Sequence, residues 1–356
     1  MFFVLIYATV TAMSLIWPQY AEFLNHTSLL WAIILLPVGL LVLIKGADWL
    51  VDGAVAIAKQ LGMSPLIIGL TIVAMGTSAP EVAASIEATL NNKPGIALGN
   101  VYGSNIANLA LVAGLCAIIR PITVPRAALR RDIPIMLAIS FGLYGVLYNL
   151  QVGYTESIVL LVLFVGIILF MICSERKRAQ KDIHITEEQE SAIEHAAPHQ
   201  PKTRWTSSLL ILIGLLFLAG GAKITVASAE VIGKHVGLSE TVIGVTIVAV
   251  GTSLPELLTC LIAALKGHDD LSVGNLVGSN IFNTLLVIGA SGLVKPYSIE
   301  SQPELIGGFY WLMIVMLVLF SAIALAFKRI SKPTGTVLLI CYGGYIAYCL
   351  GLFNRA

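Results

Sequence analysis

Two hexapeptides carry the residues whose chemistry stands out, GTSAPE at 76–81 and GTSLPE at 251–256, each inside a long apolar stretch. Thr77, Ser78 and Glu81 in the first, and Thr252, Ser253 and Glu256 in the second, bring two hydroxyls and a carboxylate together. At i, i+3 and i+4 spacing on a helix such groups share a face, and oxygen-only donor sets suit hard cations. Pro80 has no N–H and its ring clashes with the carbonyl four residues back, while Gly76 weakens the same turn. The helix is therefore expected to break or kink here, and Gly251 with Pro255 repeats the signal. Within a bilayer, broken backbone is tolerated only where it faces protein or a wet cavity. An uncompensated carboxylate there costs about 3 kcal/mol or more, so a counter-ion is expected. A protonated pair, merely hydrogen-bonded between helices, is the plainer alternative; the duplicated break argues against it.

Downstream of each hexapeptide runs a second motif, GNVYGSNIANLAL at 99–111 and GNLVGSNIFNTLL at 274–286. Ser104 and Asn108 are four apart, as are Ser279 and Asn283, so each pair adds two oxygens to one helical face. Ser and Asn also serve as interhelical glue in membranes, and packing alone is the competing reading for these four. Gly99, Gly103, Gly274 and Gly278 have the small-residue spacing that lets helices touch, and Asn100, Asn105, Asn275 and Asn280 are expected to pack or cap rather than ligate. Lys45, Asp48 and Asp52 lie on one long span, with a local Lys45–Asp48 pair or snorkelling as the plain expectation. Lys223 occupies the repeat position of Asp48, and the symmetry suggests that the two pair where the long helices cross.

The elements that must position these groups are helices in lipid. Of 356 residues, 57% are apolar and 12% charged, a composition that belongs in a membrane. The alternating segments of a membrane barrel are absent. Spans are expected at 2–17, 29–59, 64–91, 96–118, 133–149, 155–173, 206–234, 239–265, 272–293, 305–327 and 334–353. The first has no basic leader and no small-residue cleavage site, and is read as a retained helix rather than a signal peptide. Basic residues collect at 120–131, 176–181 and 328–332, which places those loops in the cytoplasm, the amino terminus inside and the carboxyl terminus outside. The polar segment 174–204 reads as a flexible cytoplasmic linker.

Residues 62–111 align without a gap on 237–286 at a constant offset of 175, with 23 identities in 50 positions. Each half holds five spans, and an odd number inverts the second copy in the membrane. The expected organisation is an amino-terminal helix and loop at 1–28, a first inverted repeat at 29–173, the linker, and a second repeat at 205–356.

Several classes of function fall away. Net charge is +1 and the basic residues sit in short clusters between spans rather than along one face, so no nucleic-acid partner is expected. The five cysteines lie in apolar segments without paired spacing and read as core residues. The six histidines, at 26, 184, 195, 199, 235 and 268, sit in loops or at span ends, leaving no acid–base partner at depth for an intramembrane hydrolase.

On these motifs, the duplicated GTS-x-PE followed by GN-x-x-GSN-I-x-N, the chain is identified as a member of the cation/calcium exchanger superfamily, most similar to prokaryotic sodium/calcium exchangers, over residues 29–353. The resemblance implies an all-α integral membrane fold: a ten-helix core of two inverted five-helix repeats, here with one extra amino-terminal helix. It implies side-chain ligands Thr77, Ser78, Glu81, Ser104, Thr252, Ser253, Glu256 and Ser279, joined by the carbonyls of Ala74 and Ala249. Family exchangers usually carry an Asp at the second-repeat position where this chain has Asn283, opposite an Asn at the position of Asn108. The implied activity is antiport of calcium, or a similar divalent cation, against sodium or protons across the cell's inner membrane, by alternating access and without a cofactor. Two ionised carboxylates match one calcium or two monovalent ions, favouring two-for-one exchange, and protons compete at such a site. A cation channel built on the same oxygens is the rival reading. The partners are the transported cations and the lipid; nothing in the sequence sets an oligomeric state.

Overall fold

The computed structural model describes residues 29–186, 203–237 and 249–353. The helix expected at 2–17 and the beginning of the span expected at 239–265 lie outside the described residues. The first half contains α1 (Leu29–Leu61), α2 (Pro65–Thr77), α3 (Ala79–Leu90), α4 (Pro94–Ile119), α5 (Ile133–Val146) and α6 (Tyr154–Thr186). The second contains α7 (Arg204–His235), α8 (Ala249–Thr252), α9 (Leu254–Leu265), α10 (Asp269–Val294), α11 (Gly308–Phe327) and α12 (Lys332–Phe353). Among the described residues six helices are long and apolar enough to cross a membrane, or seven with α2 and α3 as one broken span.

Most limits match the expected spans to within a few residues. The exception is α6, which runs past the expected end at 173 to Thr186. Segment 174–186 is charged, which made it read as linker, but it has no Gly or Pro and is rich in Arg, Lys, Glu, Gln and Ala. These residues continue a helix readily once it leaves the bilayer. What remains of the expected linker, 187–202, lies outside the described residues.

Helices α1 and α7 pack along their lengths through small residues seven apart. A Cβ added to Gly39 would come 2.9 Å from the Thr225 nitrogen, one on Gly46 2.8 Å from the Leu218 nitrogen, and one on Gly53 2.8 Å from the Ser207 carbonyl. Gly39 faces Gly221, Gly46 faces Gly214 and Gly53 faces Ser207, so numbering rises on one helix as it falls on the other. The two are antiparallel, backbone against backbone, as small residues allow. Gly62 and Gly237, equivalent in the repeat, follow the two helices with φ of 59° and 82°, left-handed turns that glycine adopts without strain.

Two short antiparallel ladders tie the halves together. β1 (Ile122–Thr123) pairs with β4 (Arg329–Ile330), and β2 (Gln151–Val152) with β3 (Tyr297–Ser298). The first joins the basic segments 120–131 and 328–332, and the second joins the loops at 150–154 and 294–303. Loops expected on a common face are thus held to one another. The main buried core gathers α2, α4, α5, α6, α9, α10 and α11; a second cluster lies between α1, α7 and the ends of α2 and α9.

Candidate functional site

The chain bends by 42° between α2 and α3, and the hinge is Ser78, with φ −84° and ψ 5°. Ser253 divides α8 from α9 with nearly the same geometry, φ −89° and ψ 3°. In each case the proline follows within the first turn of the next helix, where a missing N–H is harmless. The same first turn holds Glu81 or Glu256, so each carboxylate sits at the positive end of its helix.

Both glutamates are buried, Glu81 at 0% and Glu256 at 1% exposure. Neither carboxylate oxygen of Glu81 has a protein hydrogen-bond partner, although Ser104 lies beside it. Glu256 accepts from the Ser78 hydroxyl at 3.4 Å through Oε1, while its Oε2 has none. The two carboxylates stand within electrostatic reach of one another, with Thr77 close to Glu256. Ser253 Oγ and Ser279 Oγ are buried and unpartnered, and so are both amide atoms of Asn108 and of Asn283. Thr252 is half-buried. Of the expected ligand residues, Thr77, Ser78, Glu81, Ser104 and Glu256 come together, with Ser78 and Glu256 linking the first repeat directly to the second.

Asn108 and Asn283 lie in a feature that their spacing did not disclose. Helix α4 loosens into a π-turn over Ala107–Val112, and α10 does so at the equivalent Asn283–Val287. Such turns insert a surplus residue into a helix and occur often at functional sites. Nothing in the residue types there would have revealed them.

The Ala74 carbonyl accepts the Ser78 N–H at 3.0 Å and lies 3.3 Å from the Thr77 hydroxyl. Ala249 lies in the four-residue α8. The asparagines expected to pack do so: Asn100 donates to Ser85 Oγ and the Glu81 carbonyl, Asn105 to Thr284, Asn275 to Cys260 Sγ, and Asn280 to the Leu276 carbonyl. Gly274 and Gly278 lie directly against the backbone of α2 at Leu66 and Leu70.

Buried polar atoms without partners cost about 1–3 kcal/mol each, more when charged, and a cluster of them is rare in a folded protein. Among Glu81, Glu256, Ser253, Ser279, Asn108 and Asn283 the orphaned atoms are mostly oxygens, a donor set for hard cations. No group of three or more His, Cys, Asp or Glu suited to a metal occurs among the described residues. The site therefore mixes two formal charges with neutral oxygens, an arrangement able to hold a cation and also to release it.

A second ionic group lies along the middle of α1, against the end of α9. Lys266, just past α9, pairs with Asp48 at 2.5 Å and Asp52 at 2.7 Å, and reaches the Asp48 carbonyl at 3.4 Å. Lys45 also approaches Asp48, at 3.9 Å, as expected. Partial burial works against the Lys266 charge, but the two carboxylates outweigh it and its pKa lies above the ordinary lysine value. Neighbouring His268 is held below the usual histidine value by partial burial and then by Lys59 and Lys266, with Asp52 and Asp269 opposing. Asp269 itself binds Arg120 at 3.1 Å.

The expected Asp48–Lys223 pair is not formed. With Gly46 facing Gly214, the antiparallel crossing sets Asp48 level with residue 212, about eleven positions or roughly 16 Å along the axis from Lys223. Lys223 instead lies within electrostatic reach of Glu87 on α3.

The family pattern described as sodium/calcium exchanger protein matches residues 31–173 and 206–351. The chain is 36% identical to the putative antiporter CaxA of Alkalimonas amylolytica over 88% of this chain and 97% of that one. It is 35% identical to the inner membrane protein YrbG of Escherichia coli, covering 91% and 98%, and 32% identical to the sodium/calcium exchanger MaX1 of Methanosarcina acetivorans, covering 90% and 98%. Among solved structures, the sodium-calcium exchanger NCX_Mj superposes with a TM-score of 0.74 at 28% identity, covering 90% of this chain and 99% of that one.

Proposed function

The chain belongs to the sodium/calcium exchanger family, and from that premise we propose that it is a multi-pass antiporter of the inner membrane, exchanging calcium for sodium by alternating access. The observation that carries the reading is the pairing of Glu81 and Glu256, brought from two broken helices into a buried cluster of oxygens that lack protein partners. The relatives' names, an exchanger, an antiporter and an inner membrane protein, agree with it.

The architecture proposed is a ten-helix core of two inverted repeats, α1–α6 and α7–α12, with the broken pairs α2/α3 and α8/α9 each counted as one span. The constant offset of 175 supports it. So does the antiparallel packing of α1 against its own repeat equivalent α7, since a helix and its copy run oppositely when the second half is upside down.

In the mechanism proposed, Glu81 and Glu256 supply two negative charges, and Thr77, Ser78, Ser104, Thr252, Ser253 and Ser279 complete the oxygen set. Asn108 and Asn283 add neutral amide oxygens, and the carbonyls of Ala74 and Ala249 join when their hydrogen bonds shift. One calcium or two sodium ions neutralise the pair, giving electroneutral two-for-one exchange. An empty pair of buried carboxylates is too costly to occlude, so the gates exchange only around a loaded site, and exchange rather than leak follows. Helices α1 and α7, joined through glycines and bearing none of the proposed ligands, move as a unit over the remainder.

Isotopic calcium uptake into proteoliposomes under an imposed sodium gradient tests the proposal. Uptake should require sodium on the opposite side, and persistent calcium flux without any counter-cation would instead indicate a channel.

A further inference from the structure

We infer that Asn275 is a positioning residue for the cation site: by taking the hydroxyl proton of Thr77, it leaves oxygens of both Thr77 and Ala74 free to face a cation. The inference rests on the exchanger reading above and deepens it.

Besides the Glu256 carboxylate, which stands close to it, Thr77 Oγ1 has two neutral acceptors within reach, Asn275 Oδ1 at 3.2 Å and the Ala74 carbonyl at 3.3 Å. A hydroxyl has one proton and two lone pairs, so only one acceptor can be served at a time. The choice has consequences because the Ala74 carbonyl already accepts the Ser78 N–H at 3.0 Å. If Thr77 also donates there, both carbonyl lone pairs are filled. If Thr77 donates to Asn275, one carbonyl lone pair and both hydroxyl lone pairs remain for an ion.

Asn275 is built to make that choice. It is wholly buried, and its Nδ2 donates to Cys260 Sγ at 3.3 Å, which directs Oδ1 toward Thr77. Cys260 Sγ is itself anchored on the Ser272 carbonyl at 3.5 Å. Gly274, the preceding residue, leaves no room for a side chain against the Leu66 carbonyl and the Leu70 nitrogen, so α10 is seated directly on α2.

The same construction stands at the repeat-equivalent place. Asn100 Nδ2 donates to Ser85 Oγ at 2.9 Å, and Ser85 Oγ donates to the Ala97 carbonyl at 3.3 Å. Residues 85, 97 and 100 shifted by the offset of 175 are 260, 272 and 275. A hydroxyl stands where the second copy has a thiol, so the arrangement, not the anchoring atom, is what both halves share. Thr77 belongs to the first repeat and Asn275 to the second, so the second half orients a hydroxyl of the first.

The test is sodium-driven calcium uptake in proteoliposomes by Asn275→Ala, Thr77→Val, the double variant, Cys260→Ser and Cys260→Ala. Losing one buried partner costs about tenfold in equilibrium terms. Asn275→Ala should therefore raise the calcium concentration for half-maximal uptake about tenfold, with a smaller effect on maximal rate. The double variant should be no worse than Thr77→Val, because Asn275 acts through that hydroxyl. Cys260→Ser should behave as wild type, and Cys260→Ala should shift in the direction of Asn275→Ala.

Purely structural packing would instead lower thermal stability and leave half-saturation unmoved. Wild-type half-saturation in folded Asn275→Ala, or additive losses in the double variant, overturns the inference. Should Asn275→Ala not fold, Cys260→Ala against Cys260→Ser decides it, and equal half-saturation in those two counts against it. A wild-type protein without sodium-driven uptake would overturn the exchanger reading and this inference with it.

Discussion

Lys266 holds Asp48 at 2.5 Å, joining the proposed moving helix α1 to the far end of the broken span that carries Glu256. Asp52 shares the same ammonium at 2.7 Å, so α1 cannot shift along the core without separating these charges. Lys266→Met should release α1 and change the balance of access states by about fivefold, on the order of the 1 kcal/mol that a partly exposed pair contributes. Cysteine accessibility on the two faces of the membrane reads that balance, and identical labelling of variant and wild type would show that the pair does not restrain movement.

Glu81→Gln and Glu256→Gln each remove one of two charges from the buried cluster. Each single variant should lose at least nine-tenths of sodium-driven calcium uptake while remaining monodisperse in detergent. The amide also replaces an acceptor by a donor, so the loss should exceed a simple halving of charge. Uptake at the wild-type level in both variants would remove the site from consideration.

Asn283→Asp adds a third carboxylate to the proposed ligand set, in the π-turn of α10. The wild-type cycle should carry no net current, because two sodium ions balance one calcium. The variant should become electrogenic, one further positive charge accompanying each turnover. Current recorded on solid-supported membranes measures both, and a wild-type current of the same size would refute the two-for-one stoichiometry.

Gly46→Ala places a methyl 2.8 Å from the Leu218 nitrogen and 2.9 Å from the Gly214 carbonyl, both backbone atoms that cannot turn aside. Overpacking of this kind costs about 1–3 kcal/mol, so the variant should unfold at lower temperature and exchange more slowly. Gly142→Ala, where the added carbon meets nothing among the described residues, is the control. Equal melting temperatures for the two would show that the α1–α7 contact is looser than described.

The breaks at Ser78 and Ser253 were legible in the sequence because proline and glycine act locally, through a missing donor and a freed backbone, whatever the tertiary context. The burial of the glutamates followed from their place in apolar spans. The π-turns did not announce themselves, since Ala107–Val112 and Asn283–Val287 hold ordinary helix residues and the turn is set by neighbours. Nor could sequence supply Lys266 as the partner of Asp48. Symmetry proposed Lys223, but symmetry relates positions by number, whereas the partner depends on where two antiparallel helices cross. The helical run to Thr186 was hidden for a different reason: charge marks the end of the bilayer, not the end of a helix.

The matched π-turns also bear on how the two halves correspond. Both carry a surplus helical residue in corresponding stretches, Ala107–Val112 and Asn283–Val287, so α4 and α10 depart from regular α-helical register together. A one-residue deletion within either stretch would rotate everything beyond it by about 100° about the helix axis.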